Sequence, residues 1–192
     1  MPDSITEECE RLLHDAGCSR KVIAHCRAVR DCACEYAERN PEVIFSLVEQ
    51  GAMLHDIGRS RTHTILHAQC GADLMRSMGM DEKIARIVEC HTGAGLTADE
   101  CTLLCLAPRD CVPSTPEEKI VTHADNLIAG TKRVSIDDTI ASAFRLPRRV
   151  RKRLYQLACE VELMCGRNSQ DRSFRESRFS LNKHNDAFDP LY

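Results

Sequence analysis

The chain has no tryptophan, and aromatic residues fill 4% of its 192 positions. That shortage excludes a stacking platform for single-stranded nucleic acid, which needs rings on which bases can lie. A net charge of −3 also argues against a dedicated nucleic-acid surface, because phosphate neutralisation is what drives such binding. No apolar run approaches the roughly 20 residues of a membrane span. Met1-Pro2-Asp3-Ser4 is polar and acidic, unlike the basic start of a signal peptide. The expectation is a soluble, cytoplasmic protein without a membrane partner. GxSxG, Walker and HExxH patterns are all missing, so serine-hydrolase, P-loop and zincin chemistry has no anchor. CxxC is missing too, although there are 12 cysteines. The nearest spacings are Cys32-Ala33-Cys34 and Cys101 to Cys105, not the paired turns of a structural zinc or iron–sulfur site. Without an export signal the compartment is reducing, and cysteines set among apolar residues read as small hydrophobic core filler.

What is present is helical period. Val22, His25, Val29, Cys32 and Tyr36 recur at three- and four-residue steps behind Ser19, a candidate N-cap. Pro41 reads as a helix start leading through Val43, Leu47, Val48 and Leu54 to His55-Asp56-Ile57-Gly58, with Gly58 as the stop. Thr64 is a cap for His67, Gly71, Leu74 and Met75, and Asp81 for Ile84, Ile87, Val88 and His91. Residues 92–116 read mostly as loop, with a helical turn near Asp99–Leu106. Pro116 opens a helix over Glu117–Gly130, and Pro147 a last long one to Gly166. No run alternates as a strand would. The fold class is all-α, with one domain over 1–166. Residues 167–192 read as a polar tail, aperiodic and poor in aliphatics. The basic run Arg148–Arg153 reads as a solvated helix face.

The histidines carry the chemistry. His25, His55, His67, His91 and His123 all fall on apolar faces or helix ends. One such histidine is usually a satisfied core residue. Five on successive helices, with Asp56 and Asp125 among them, are costly to bury without compensating charge. A divalent transition metal (Fe, Mn, Co, Ni or Zn) accepts imidazole nitrogen and carboxylate oxygen and supplies that charge. Neighbours on a helix point about 100° apart, so His55 and Asp56 reach one ion only where the helix ends. Gly58 permits such an ending.

A histidine, a His-Asp doublet and a distant aspartate, here His25, His55-Asp56 and Asp125, resemble the HD-domain superfamily of metal-dependent phosphohydrolases. His55-Asp56-Ile57-Gly58-Arg59 matches the HDIG form of that motif. Thr62-His63-Thr64-Ile65-Leu66-His67, His91-Thr92-Gly93-Ala94-Gly95 and His123-Ala124-Asp125-Asn126-Leu127 resemble an HDIG subgroup of small stand-alone archaeal proteins, some acting on cyclic phosphates. The resemblance covers about residues 20–165. It implies a helical bundle with a metal centre among its core helices. His25, His55, Asp56 and Asp125 would hold one ion, and His67 and His91 would complete a second, with Asp56 bridging. His123 matches no ligand position, and His14 and His184 read as surface residues. Where relatives often carry Lys after the doublet, this chain has Arg59, which keeps the charge and adds a bidentate grip on phosphate.

The activity so implied is hydrolysis of a nucleotide-like or cyclic phosphate ester, by a phosphodiesterase or phosphomonoesterase using a metal-bound hydroxide. Asp56 and Arg59 would be catalytic. Arg59, His63, Lys132 and Arg133 would contact the small phosphorylated substrate. Lys132 and Arg133 enter on the premise that they lie two helical turns beyond Asp125 on nearly the same face, where a solvated helix end explains them equally well. Two other classes share the ligand set: a di-iron HD-fold oxygenase, and a non-catalytic nucleotide-binding HD module.

Overall fold

The computed structural model describes residues 4–166. The expected tail over 167–192, with His184, lies outside the described residues. The order is α1 (Ile5–Asp15), α2 (Arg20–Ala37), α3 (Phe45–Leu54), a 3-10 turn (Ile57–Ser60), α4 (His67–Ser77), α5 (Glu82–Cys90), α6 (Ala98–Leu103), α7 (Pro116–Asn126), a hairpin of β1 (Ile128–Ala129) and β2 (Lys132–Arg133), α8 (Ile136–Ser142) and α9 (Arg148–Met164). The fold is all-α, and among the described residues no helix is long and apolar enough to cross a membrane.

Local chemistry sets several boundaries. The Ser19 side chain accepts the Val22 amide and starts α2, and Asp81 accepts the Lys83 amide ahead of α5. Thr115 and Glu118 form a reciprocal capping box around Pro116, the first residue of α7. Pro41 does not open a helix. Asn40 accepts the Glu42 amide through Oδ1 at 3.0 Å, the local bond by which Asn favours a turn, and α3 begins four residues later. Thr64 stands ahead of the cap position, its hydroxyl accepting the Leu66 amide at 3.4 Å.

Helices α3, α5 and α7 pack on one another and run in the same direction. Their first turns line one cleft through Leu47, Lys83 and Pro116, while their last residues meet at the opposite end. Tyr36, Val48, Met53, Ile57, Met75, Ile87 and Ile120 are buried in one apolar core, the aliphatic ones and the methionines each stabilising by about 1.5–3 kcal/mol. Eight of the cysteines are buried as well: Cys9, Cys18, Cys26, Cys32, Cys90, Cys101, Cys111 and Cys165. Burial pushes Cys9, Cys32 and Cys111 up to about 12, as expected of inert filler.

Gly58 is not a left-handed helix stop. It lies inside the 3-10 turn, and a Cβ there would run into the His67 carbonyl and the Gly71 backbone. Gly71 returns the relation, since its own Cβ would meet the Gly58 amide at 3.0 Å. Two glycines therefore let the turn after the His-Asp doublet lie directly on the start of α4.

Candidate metal centre

His55 is the residue just past α3, His91 the residue just past α5, and Asp125 the next-to-last residue of α7. Three helix carboxyl ends, each carrying partial negative charge, thus face one point. His25 arrives from the middle of α2, and His67 is the first residue of α4, brought in by the Gly58–Gly71 contact. Asp56 adopts φ −100° and ψ 13°, so the backbone leaves the helix there and both members of the doublet turn inward.

The six side chains converge. His25 Nε2 lies 3.0 Å from Asp125 Oδ1, and His55 Nε2 lies 3.6 Å from the same oxygen. Asp56 stands between two groups. Its Oδ2 is 3.9 Å from His25 Nε2 and 3.8 Å from His55 Nε2, while its Oδ1 is 3.1 Å from His67 Nε2 and 3.5 Å from His91 Nε2. Ligand atoms of His25, His55 and Asp125, and those of His55, Asp56 and His91, form two trios in which every atom is within 4.8 Å of the others.

The protons on the rings are fixed by their outer partners. His55 Nδ1 is 2.7 Å from the Ala52 carbonyl, His67 Nδ1 is 2.8 Å from that of Thr64, His91 Nδ1 is 2.7 Å from that of Val88, and His25 Nδ1 is 2.7 Å from that of Gly130. A carbonyl only accepts, so each Nδ1 must donate. Every neutral ring then turns a bare Nε2 lone pair inward, the arrangement in which metal-bound histidines are held. Four lone pairs and two carboxylates face one another. His55 Nε2 and Asp56 Oδ1 are buried without an aligned hydrogen-bond partner among the described residues. This donor set fits a divalent transition metal and could hold one or two such ions.

Electrostatics agree. Burial opposes the charge of Asp56, but His55, His67 and His91 outweigh it and hold the carboxyl far below the ordinary carboxylate range. Burial likewise opposes ionisation of Asp125, and the His25 hydrogen bond lowers it. Burial pushes His55 down to about 4, so its ring is neutral near pH 7. His25 and His91 go the other way: burial works against the imidazolium, but Asp125 and Asp56 respectively raise them. Each carboxylate thus favours the protonated form of the ring it faces.

The other candidate residues divide. Arg59 Nε donates to Asp56 Oδ2 at 2.6 Å, so that nitrogen steadies the carboxylate. His63 is exposed on the loop before α4. Lys132 and Arg133 do not extend α7, which ends at Asn126; they form β2, paired with Ala129 and Ile128. The helical premise for them fails because Gly130, at φ 67°, turns the chain back. Arg133 donates to Glu35 at 2.6 Å. His123 is buried with its ring edge-on to Tyr36, at a centroid distance of 5.2 Å, and Nε2 lies 3.9 Å from Glu162, away from the centre. The basic run is only partly a solvated face, because Arg149 and Arg153 both donate to Glu100, at 3.3 and 2.6 Å. Sequence reasoning missed the backbone carbonyls that set the tautomers. Their signal is position, three residues before His55, His67 and His91, and no residue type marks it.

Comparison with known proteins places the chain. The HD domain family model matches residues 22–130, a span holding all six converging residues, and the chain belongs to the HD-domain family. An uncharacterized protein of Methanocaldococcus jannaschii is 54% identical over 127 residues, covering 64% of this chain and 75% of that one. A Picrophilus torridus protein named tRNA (cytidine(56)-2'-O)-methyltransferase is 38% identical over 178 residues, covering 89% of this chain. The chain spans half the length of that relative. The crystal structure of the HD domain of Listeria monocytogenes phosphodiesterase PgpH with cyclic-di-AMP shares 15% identity at a TM-score of 0.49, over 79% of this chain and 95% of that one.

Proposed function

We propose that the chain is a divalent-metal-dependent hydrolase of phosphoric esters, with two ions held by His25, His55, Asp56, His67, His91 and Asp125. The observation that carries this reading is the set of four Nε2 lone pairs aimed at two carboxylates, with every Nδ1 proton committed to a carbonyl outside the cluster. In their neutral forms the four rings present no Nε2 donor to these carboxylates or to one another, so the set calls for cations. When bound, divalent ions supply the charge that a phosphoryl transition state needs and acidify the attacking water.

The chain's own residues do the rest. Side-chain exposure is 18% for His25, 22% for Asp125 and 30% for Arg59, against 4% or less for His55, Asp56, His67 and His91. Substrate therefore enters past His25, Asp125 and Arg59. Arg59 holds Asp56 through Nε and offers its remaining guanidinium nitrogens to phosphoryl oxygens, which a planar fork suits. Asp56 orients the attacking water. His63, on the exposed loop before α4, is the further substrate contact. A nucleotide-like phosphodiester or cyclic phosphate is the favoured substrate class, because an arginine beside paired cations matches a charged phosphoryl group. Methyl transfer is not carried over from the Picrophilus relative, since the match spans half of that protein and the cluster suits cation binding.

The test is a metal-free chain supplied with Mn²⁺, Fe²⁺ or Co²⁺ and assayed on a panel of phosphomonoesters, phosphodiesters and cyclic phosphates. Activity lost on chelation and regained with metal supports the reading. A folded, metal-loaded chain inert across the panel contradicts it. Asp56→Ala should abolish turnover, whereas a module that only binds nucleotide would keep its ligand affinity.

A further inference from the structure

We infer that Asn126 is a positioning residue that sets the distance between the two halves of the metal centre. The inference rests on the two-ion reading above. Asn126 ends α7, one residue after Asp125. Its Nδ2 donates to the Gly93 carbonyl at 2.5 Å and to the Thr122 carbonyl, on its own helix, at 2.9 Å. Gly93 lies two residues after His91 and takes φ 64°, a left-handed turn that glycine adopts at little cost. One carboxamide therefore ties the end of the helix bearing Asp125 to the segment leaving His91. Asp125 belongs to the trio with His25 and His55, and His91 to the trio with His55 and Asp56, so the tie spans both groups.

The brace supplies what packing does not. α5 and α7 pack on each other and share one apolar core that includes Ile87, Val88, Ile120 and Val121, and hydrophobic contact is non-directional. It fixes how far apart two helices lie more firmly than how far one slides along the other. A hydrogen bond is directional, and this one sits at the ends of the helices, where sliding would separate the ligands. The same segment is gripped again at Gly95, whose carbonyl accepts from Arg153 Nη2 at 2.8 Å. Arg153 is held in turn by Glu100 at 2.6 Å. The Asn126 backbone carbonyl is also engaged, accepting the Thr139 hydroxyl at 2.6 Å, so the brace is anchored from behind by α8.

Two substitutions separate positioning from plain folding. Asn126→Asp keeps the shape but turns a carboxylate oxygen toward two carbonyls. Asn126→Ser keeps a hydroxyl able to back-bond to Thr122 in the helix but cannot span to Gly93. Mn²⁺ binding to the metal-free, full-length chain is followed by calorimetry, with electron paramagnetic resonance reporting spin coupling between paired ions. Wild type should take up two coupled Mn²⁺ ions. Both variants should keep the tighter ion, weaken the other by about tenfold, the lower end for loss of an outer supporting bond, and lose the coupling signal. Circular dichroism of the metal-free variants should match wild type. Two coupled ions of unchanged affinity in both variants would overturn the brace while leaving the two-ion reading intact. A wild-type chain that binds no Mn²⁺ would overturn the reading itself, and the brace with it.

Discussion

His67 Nε2 and His91 Nε2 lie 3.0 Å apart while both rings give their Nδ1 protons to backbone carbonyls. In their neutral forms these two nitrogens would meet lone pair to lone pair. Something positive must stand between or beside them, and the choice is a proton or a metal ion.

Metal affinity should fall as pH falls. His25 and His91 hold protons above the ordinary imidazole value in the free chain, each facing a carboxylate. Below those raised values a cation must displace protons to bind; above them it meets bare lone pairs. Binding therefore releases protons. Calorimetry in two buffers of different ionisation enthalpy checks this, with net proton release growing as pH is lowered through the imidazole range. Release that does not change with pH would contradict the tautomer assignment.

Metal should stabilise the fold. An ion at 100 times its Kd adds about 2.7 kcal/mol, and for a chain of this size about 1 kcal/mol moves Tm by roughly 2–4 °C. A rise of about 5–11 °C on adding Mn²⁺ is expected, reversed by chelator. His67→Ala should cut that rise sharply, and Leu163→Ala, at an exposed site far along α9, should leave it unchanged.

Gly58→Ala should cost more than Gly51→Ala. A Cβ at 58 meets fixed backbone of His67 and Gly71, whereas one at 51 meets only a side chain, that of Ile87 at 2.7 Å, which would have to repack within the core. Overpacking costs about 1–3 kcal/mol, and position 58 should reach or pass the upper end. Chemical denaturation gives the stabilities. Metal affinity should drop with Gly58→Ala as well, because His67 would be pushed off the centre.

Of the cysteines, Cys105 should react first. It is exposed, while eight others are buried, and burial raises Cys90 as well, beyond the reach of ordinary pH. A thiol reagent counted by mass spectrometry should modify Cys105 in the native chain and the buried set only after unfolding. Rapid native labelling of Cys26 or Cys90 would contradict the packing.

Much of this was legible in the chain because periodicity and burial cost are written in residue types. The histidines and acids on apolar faces announced a charged interior, and the His55-Asp56 doublet demanded a helix end, which is where α3 stops. Gly58 was legible as a special position but not in its reason, since its close approach to Gly71 is a tertiary contact. Lys132 and Arg133 were misplaced because Gly130 was read as ending a helix, when it turns a hairpin whose carbonyl then orients His25. Asn126 gave no sign, for its partner is the carbonyl of Gly93, and carbonyls are common to every residue.

The most direct test is diffraction from crystals grown with Mn²⁺, recorded on both sides of the metal's absorption edge. Two anomalous peaks are expected inside the cluster, one bounded by His25, His55 and Asp125 and the other by His67 and His91, with Asp56 between them. Ordered crystals grown at saturating Mn²⁺ whose six side chains surround no anomalous peak would contradict the account.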